Sequence, residues 1–126
     1  MNNTSDKKRV LVVDDHPKVL RFLEIFLKTH GFEVITTTSG GESLNLVKSC
    51  SPDIILLDII MPEIDGFEVL RRLRAFSRIP VIVLSASSGT YCKAMHFGAD
   101  DFMPKPFQPD EIISKIKALL SVEKIS

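Results

Sequence analysis

The sequence has no excess of charge of either sign. Sixteen Lys and Arg residues balance sixteen Asp and Glu over 126 residues. That excludes the domain-wide positive field with which a protein grips nucleic acid, though not a local basic patch. Cysteine is scarce: only Cys50 and Cys92, far apart, with neither a CxxC pair nor a metal-ligand spacing. A cysteine-built metal centre is excluded, leaving two reduced thiols of the kind a cytosolic protein carries. Long apolar runs are missing. The longest are strand-sized, well short of the roughly 18 residues that suggest a membrane span. The N-terminal MNNTSDKKR is charged, and the VLVV that follows ends in two aspartates, so the pattern of a secretory signal is absent. The reading is a cytoplasmic protein with no membrane association. No repeat, low-complexity tract or internal linker interrupts it.

What is present is an ordinary globular balance, 44% hydrophobic and 25% charged. The length suits one domain, able to bury roughly two-thirds of its unfolded surface. The single domain is expected over 1–126, with a core of about 8–121 and flexible ends at 1–7 and 122–126. Short apolar runs alternate with segments of helical period. Strands are expected at VLVV (10–13), EVIT (33–36), DIILLD (53–58), VIVLS (81–85) and around ADDFM (99–103). Helices are expected after Pro17, over SGGESLNLVKSC, from about Phe67 to Arg74, weakly over 88–97, and from Pro109. The nearly continuous apolar run of DIILLD suits a strand buried on both faces. Five strand–helix units imply a parallel sheet covered by helices on both sides. The strand order expected is 2-1-3-4-5.

In such sheets ligands bind beyond the carboxyl ends of the strands, where the order reverses. Asp14 and Asp15 stand there after strand 1, Asp58 after strand 3, Ser85 after strand 4 and Lys105 near the end of strand 5. Two carboxylates about 4 Å apart repel by roughly 4 kcal/mol at an effective dielectric of 20. Such a group retains a proton or binds a cation, and oxygen donors favour a hard one. Asp15 and Asp58 are candidate direct ligands of Mg²⁺, for which Mn²⁺ could substitute. Asp14 would act through water, and Ile60 would add its backbone carbonyl. The metal, Lys105 and Ser85 could share the oxygens of a phosphoryl group, and Asp58 could take that group as a nucleophile. In DFMPKPF (101–107) a single lysine stands between prolines. A Lys105–Pro106 bond can be cis at small cost, which would turn the ammonium toward Asp58. Pro104 should leave the last strand one N–H short and weaken its end.

VLVVDDHP, DIILLDIIMPEIDGFEVL, IPVIVLSA and GADDFMPKPF, in this order and spacing, closely resemble the receiver domain of bacterial two-component response regulators. The resemblance covers about residues 8–121. It implies a flavodoxin-like, doubly wound (βα)5 sandwich of three layers. It also implies Mg²⁺ at Asp14 and Asp15, and phosphorylation of Asp58 by a sensor histidine kinase or a phosphotransfer protein. Ser85 matches the family's Thr/Ser after strand 4, Lys105 its lysine before a cis-proline, and Phe102 its switch aromatic. No signature residue is missing. Such a domain is a signalling phosphoacceptor rather than an enzyme acting on a separate substrate. The negative charge and acceptor oxygens of the phosphoryl group would draw Ser85 over, open space for Phe102 and reshape the surface of helix 4, strand 5 and helix 5. That surface would meet an output domain or partner and admits a phosphorylation-dependent homodimer, with no direct nucleic-acid binding by this domain. Ile60 is apolar where some members carry a polar residue, so the resemblance leaves the phosphoryl lifetime open.

Other readings compete. A Mg²⁺-dependent phosphohydrolase of one large class would carry a DxD after strand 1 and a cap domain. A cofactor binder on the same fold would need a glycine- and hydroxyl-rich loop where DDHPKV stands. A scaffold independent of phosphorylation would not need the complete site. Individual residues also have plainer roles. His16 reads as a solvated neighbour of the acidic pair, and His30 and His96 as helix-end residues. Gly66 and Gly98 read as turn or helix-end glycines, and Pro62 as shaping the loop after strand 3. Arg71, Arg72, Arg74 and Arg78 read as a solvated helix face. Tyr91 and Met95 suit either packing or a partner surface.

Overall fold

Short, nearly continuous apolar runs, buried on both faces, decide the architecture. A computed structural model describes residues 7–61 and 64–125. The expectations for residues 1–6, for Pro62 and for Ser126 lie outside the described residues. In chain order the elements are β1 (Arg9–Val13), α1 (Pro17–Thr29), β2 (Glu33–Thr37), α2 (Gly40–Cys50), β3 (Ile54–Asp58) and α3 (Gly66–Arg74). They continue with β4 (Val81–Ser85), a 3-10 turn at Ser88–Thr90, α4 (Tyr91–His96), β5 (Asp101–Pro104) and α5 (Pro109–Ile125). The strands form one parallel sheet in the order β2-β1-β3-β4-β5.

Successive side chains on a strand point to opposite faces, and both faces here are apolar. Val10, Val12, Leu56, Leu84 and Met103 pack with Leu20, Leu23 and Leu27 of α1 and with Ile112, Ile113 and Ile116 of α5. Leu11, Val13, Ile55, Leu57, Val83 and Phe102 pack with Val69, Leu70 and Leu73 of α3 and Ala94 of α4. Every residue of β3 and β4 is buried. Each fully buried aliphatic side chain contributes about 1.5–3 kcal/mol.

The helix starts follow local chemistry. Ser39 caps α2 by accepting from the Glu42 N–H, and Asp65 caps α3 by accepting from the Glu68 N–H. Pro17 opens α1. The weakly patterned segment 88–97 becomes a 3-10 turn and a helix of six residues, of which only Ala94 is buried.

Pro104 finds its explanation in the topology. The Lys105 N–H donates to the Ser85 carbonyl of β4. The preceding residue therefore faces its nitrogen away from β4, toward the open edge of the sheet. The missing N–H removes no bond from the ladder, as proline on an edge strand should.

Candidate functional site

The strand order reverses at β1, between its two neighbours β2 and β3. Val13 pairs in register with Leu57, so Asp14, one residue further, lies beside Asp58. Asp14, Asp58 and Lys105 follow Val12, Leu56 and Met103 by two residues each and so continue the same side of the sheet. The Asp14 N–H donates to the Thr37 carbonyl, which ties this tip to β2.

Asp14 is completely buried and Asp58 is 3% exposed. Asp14 has good partners. Its Oδ2 accepts from Lys105 Nζ at 2.9 Å, and its Oδ1 accepts from the His16 backbone N–H at 2.9 Å. His16 Nδ1 lies 3.0 Å from the same Oδ1. Asp58 is less well served. Its Oδ1 is 3.6 Å from Lys105 Nζ, and its Oδ2 is buried with no hydrogen-bond partner. Asp15 Oδ1 is orphaned in the same way; His16 Nδ1 approaches it to 3.1 Å but without hydrogen-bond geometry.

These contacts set the proton affinities. Burial, then the charge of Asp14, pushes the Asp58 carboxyl up to about 6, with Asp15 adding to the effect. Lys105 and the Ile60 backbone amide oppose that shift. The hydrogen bond to Asp14, then the charges of Asp15 and Asp14, raise His16 from its ordinary range.

Two buried carboxylate oxygens without a donor are costly, and one lysine does not neutralise three aspartates. One donor atom each from Asp14, Asp15, His16 and Asp58 lies within 4.8 Å of the others. A hard divalent cation fits this set: it would give the orphaned oxygens of Asp15 and Asp58 a partner and reduce the net negative charge. The Ile60 side chain points outward and is exposed.

Ser85 is buried at the end of β4. Its hydroxyl turns into its own loop. It accepts from the Ser87 N–H at 3.1 Å, donates to the Ser87 carbonyl at 3.3 Å, and is bonded by Thr90 Oγ1 at 3.0 Å. The cis Lys105–Pro106 bond is present, and the Lys105 N–H bonds the Ser85 carbonyl at 2.8 Å. Phe102 is buried on the α4 side. The ring of Tyr91, half-exposed, meets it edge-on with centroids 5.5 Å apart.

The arginines divide. Arg71 and Arg72 pair with Glu68 on an exposed face. Arg74 does not belong to that face. Its guanidinium donates to the carbonyls of Gly98, Ser77 and Ile79 and to Asp100, joining the end of α3 to the end of α4 and the start of β5. Met95 is partly buried against the α3–α4 core.

His16 is the solvated neighbour of the acidic pair that the sequence suggested: its side chain is largely exposed, with Nδ1 within 3.1 Å of Asp14 and Asp15. One residue matters more than its sequence signal suggested. Gly66 opens α3 directly against the backbone of the site: a Cβ there would stand 2.7 Å from the Asp58 carbonyl oxygen and from Ile59 Cα. The Gly66 N–H donates to the Ile59 carbonyl at 2.8 Å. The IDG that follows β3 was the available signal, but its spacing also suits an ordinary turn.

The fold is a doubly wound α/β domain with a carboxylate cluster and a lysine at its switch point, and comparison with known proteins identifies its family. The model of the response regulator receiver domain family matches residues 10–117. The DNA-binding response regulator MtrA of Mycolicibacterium smegmatis is 37% identical over 116 residues, which cover 90% of this chain and 51% of that protein. The receiver domain of the Francisella response regulator 1452 superposes with a TM-score of 0.87 at 32% identity, covering 93% of this chain and 99% of that one. The response regulator TrrA of Thermotoga maritima, solved in complex with Mg²⁺-BeF, gives a TM-score of 0.82 at 36% identity, covering 89% and 98%. The chain belongs to the response regulator receiver domain family. It spans about half the length of the curated relative MtrA. No helix among the described residues is long and apolar enough to cross a membrane.

Proposed function

We propose that this domain accepts a phosphoryl group on Asp58 from a phosphohistidine of a sensor kinase or phosphotransfer protein, with Mg²⁺ at Asp14, Asp15, Asp58 and the Ile60 carbonyl. The observation that carries the reading is the buried, unpartnered Oδ2 of Asp58, set among Asp14, Asp15 and Lys105. Asp58 attacks phosphorus, its O–P bond forms, the P–N bond to the donor imidazole breaks, and the imidazole keeps the electron pair. Bound Mg²⁺ supplies charge neutralisation for the phosphoryl oxygens. Lys105 balances the charge of Asp14 in the resting protein and lies near enough to Asp58 to meet a phosphoryl oxygen attached there. Ser85 turns from its loop to donate to another. The similarity to TrrA, solved with Mg²⁺-BeF, supports the same chemistry here.

The output follows from the same site. Ser85 and Phe102 stand on adjacent strands, and Phe102 is buried under Tyr91. Withdrawal of Ser85 would open room for Phe102 and change the face built by α4, β5 and α5. That face would carry the signal to an output domain or a partner, and the domain would act as a signalling acceptor rather than as an enzyme on a separate substrate. The relative MtrA, named a DNA-binding response regulator, supports an output on nucleic acid made outside this domain.

Incubation with Mg²⁺ and acetyl phosphate tests the proposal by intact mass. One phosphoryl group is expected on the wild type and none on Asp58→Asn. Labelling that survives the substitution overturns the assignment.

A further inference from the structure

Ser85 must be free to turn if it is to bind a phosphoryl oxygen, and in this structure it is not free. Its hydroxyl contacts two backbone groups of Ser87 and one side chain, Thr90. Among the described residues, Thr90 is the only side chain that bonds it. Thr90 stands immediately before α4, where threonine ordinarily caps the helix by accepting a backbone N–H. It makes no such cap. Its hydroxyl points back across the loop, to Ser85 Oγ at 3.0 Å and to the Ser87 carbonyl at 2.7 Å.

We propose that Thr90 is a positioning residue that holds the Ser85 hydroxyl in the resting orientation and so opposes its transfer to a phosphoryl group on Asp58. The inference rests on the proposed role of Asp58 and deepens it. The sign follows from which bonds differ between the two states. When Ser85 turns toward the acid site, it leaves Thr90. Thr90 has one hydroxyl proton, shared in the resting state between Ser85 Oγ and the Ser87 carbonyl; when Ser85 leaves, the carbonyl takes it alone, so the Thr90 hydroxyl is still satisfied. The Thr90–Ser85 bond is therefore present in the resting state alone. A contact made in one state only biases the equilibrium toward that state, and a ligand that needs the other state binds more weakly by the same factor. The net worth of one neutral hydrogen bond corresponds to about a fivefold change in an equilibrium constant.

The test compares wild type with Thr90→Val, which keeps the shape and loses the hydroxyl, with Thr90→Ala as a second deletion, and with Thr90→Ser, which restores the hydroxyl. The probe is beryllofluoride at fixed Mg²⁺, read by titration, with thermal unfolding of every variant as the check on folding. Expected is a beryllofluoride affinity about fivefold tighter in Thr90→Val and in Thr90→Ala, and a return to the wild-type value in Thr90→Ser. Damage to the loop's structure would weaken binding, so the direction separates a latch from a support. Unchanged or weakened affinity in the folded deletion variants, or a Thr90→Ser protein that behaves like Thr90→Val, overturns the proposal. Failure of the underlying reading looks different: wild type itself would then take no phosphoryl group from acetyl phosphate, or Asp58→Asn would take it equally well.

Discussion

Lys105 Nζ lies 2.9 Å from Asp14 Oδ2 but 3.6 Å from Asp58 Oδ1, so the lysine between the two prolines is bonded first to the buried acid of β1. The sequence had suggested a lysine aimed at Asp58. Both carboxylates are buried, and one lysine can pair fully with only one of them; Asp58 is left with a longer contact to Lys105 and an Oδ2 without a partner.

Removing that cation should therefore act on stability before it acts on chemistry. Lys105→Met is expected to destabilise the metal-free protein at pH 7 by about 3 kcal/mol, because it strands the charge of Asp14. Urea unfolding in EDTA measures this. A midpoint equal to that of wild type would show that the pair contributes nothing.

The raised proton affinity of Asp58 has a definite sign in stability. Its carboxyl titrates near 3.8 when unfolded and about 6 when folded. The folded state thus binds the proton more tightly. The resulting stabilisation is complete below pH 4 and is lost as pH rises through 6, by at most about 3 kcal/mol. In EDTA, Asp58→Asn should avoid that loss and become the more stable protein by pH 8. Unfolding midpoints of the two proteins at pH 4.5, 6 and 8 check it; a constant difference refutes it.

Gly66 and Gly41 offer a matched pair. A Cβ at Gly66 meets backbone atoms at 2.7 Å, whereas one at Gly41 meets only Ser39 Oγ at 3.8 Å. Gly66→Ala should cost about 1–3 kcal/mol through overpacking and slow phosphorylation by shifting Asp58. Gly41→Ala, inside α2, should stabilise by about 0.5–1 kcal/mol. Unfolding and acetyl phosphate labelling, run together, read both effects.

Arg74 is 15% exposed at its side chain and donates to three carbonyls and a carboxylate. Lysine cannot reproduce that fork. Arg74→Lys is expected to lose about 2–3 kcal/mol, with faster amide exchange at Gly98–Asp100. Wild-type exchange there would show that the arginine is only a surface charge.

Much of the fold was legible because it rests on local rules. Alternating strand and helix periods named the five units, Pro17 and Pro109 opened their helices, and the uninterrupted DIILLD announced a strand covered on both sides. The acids at the strand ends were legible for a related reason. A parallel sheet sends every strand's carboxyl end the same way, so residues after strands 1, 3, 4 and 5 had to share an edge.

Other features depend on distances between segments remote in sequence, and no local pattern encodes those. The arginines of α3 looked alike until packing turned Arg74 inward, toward carbonyls that only the β4 and β5 connections bring there. Pro104 had no account until β5 proved to be an edge with its bonding side set by Lys105. Periodicity determined which elements form and in what order. The tertiary structure decided which charges lose their water, and that loss sets the partner of Lys105 and the proton affinity of Asp58.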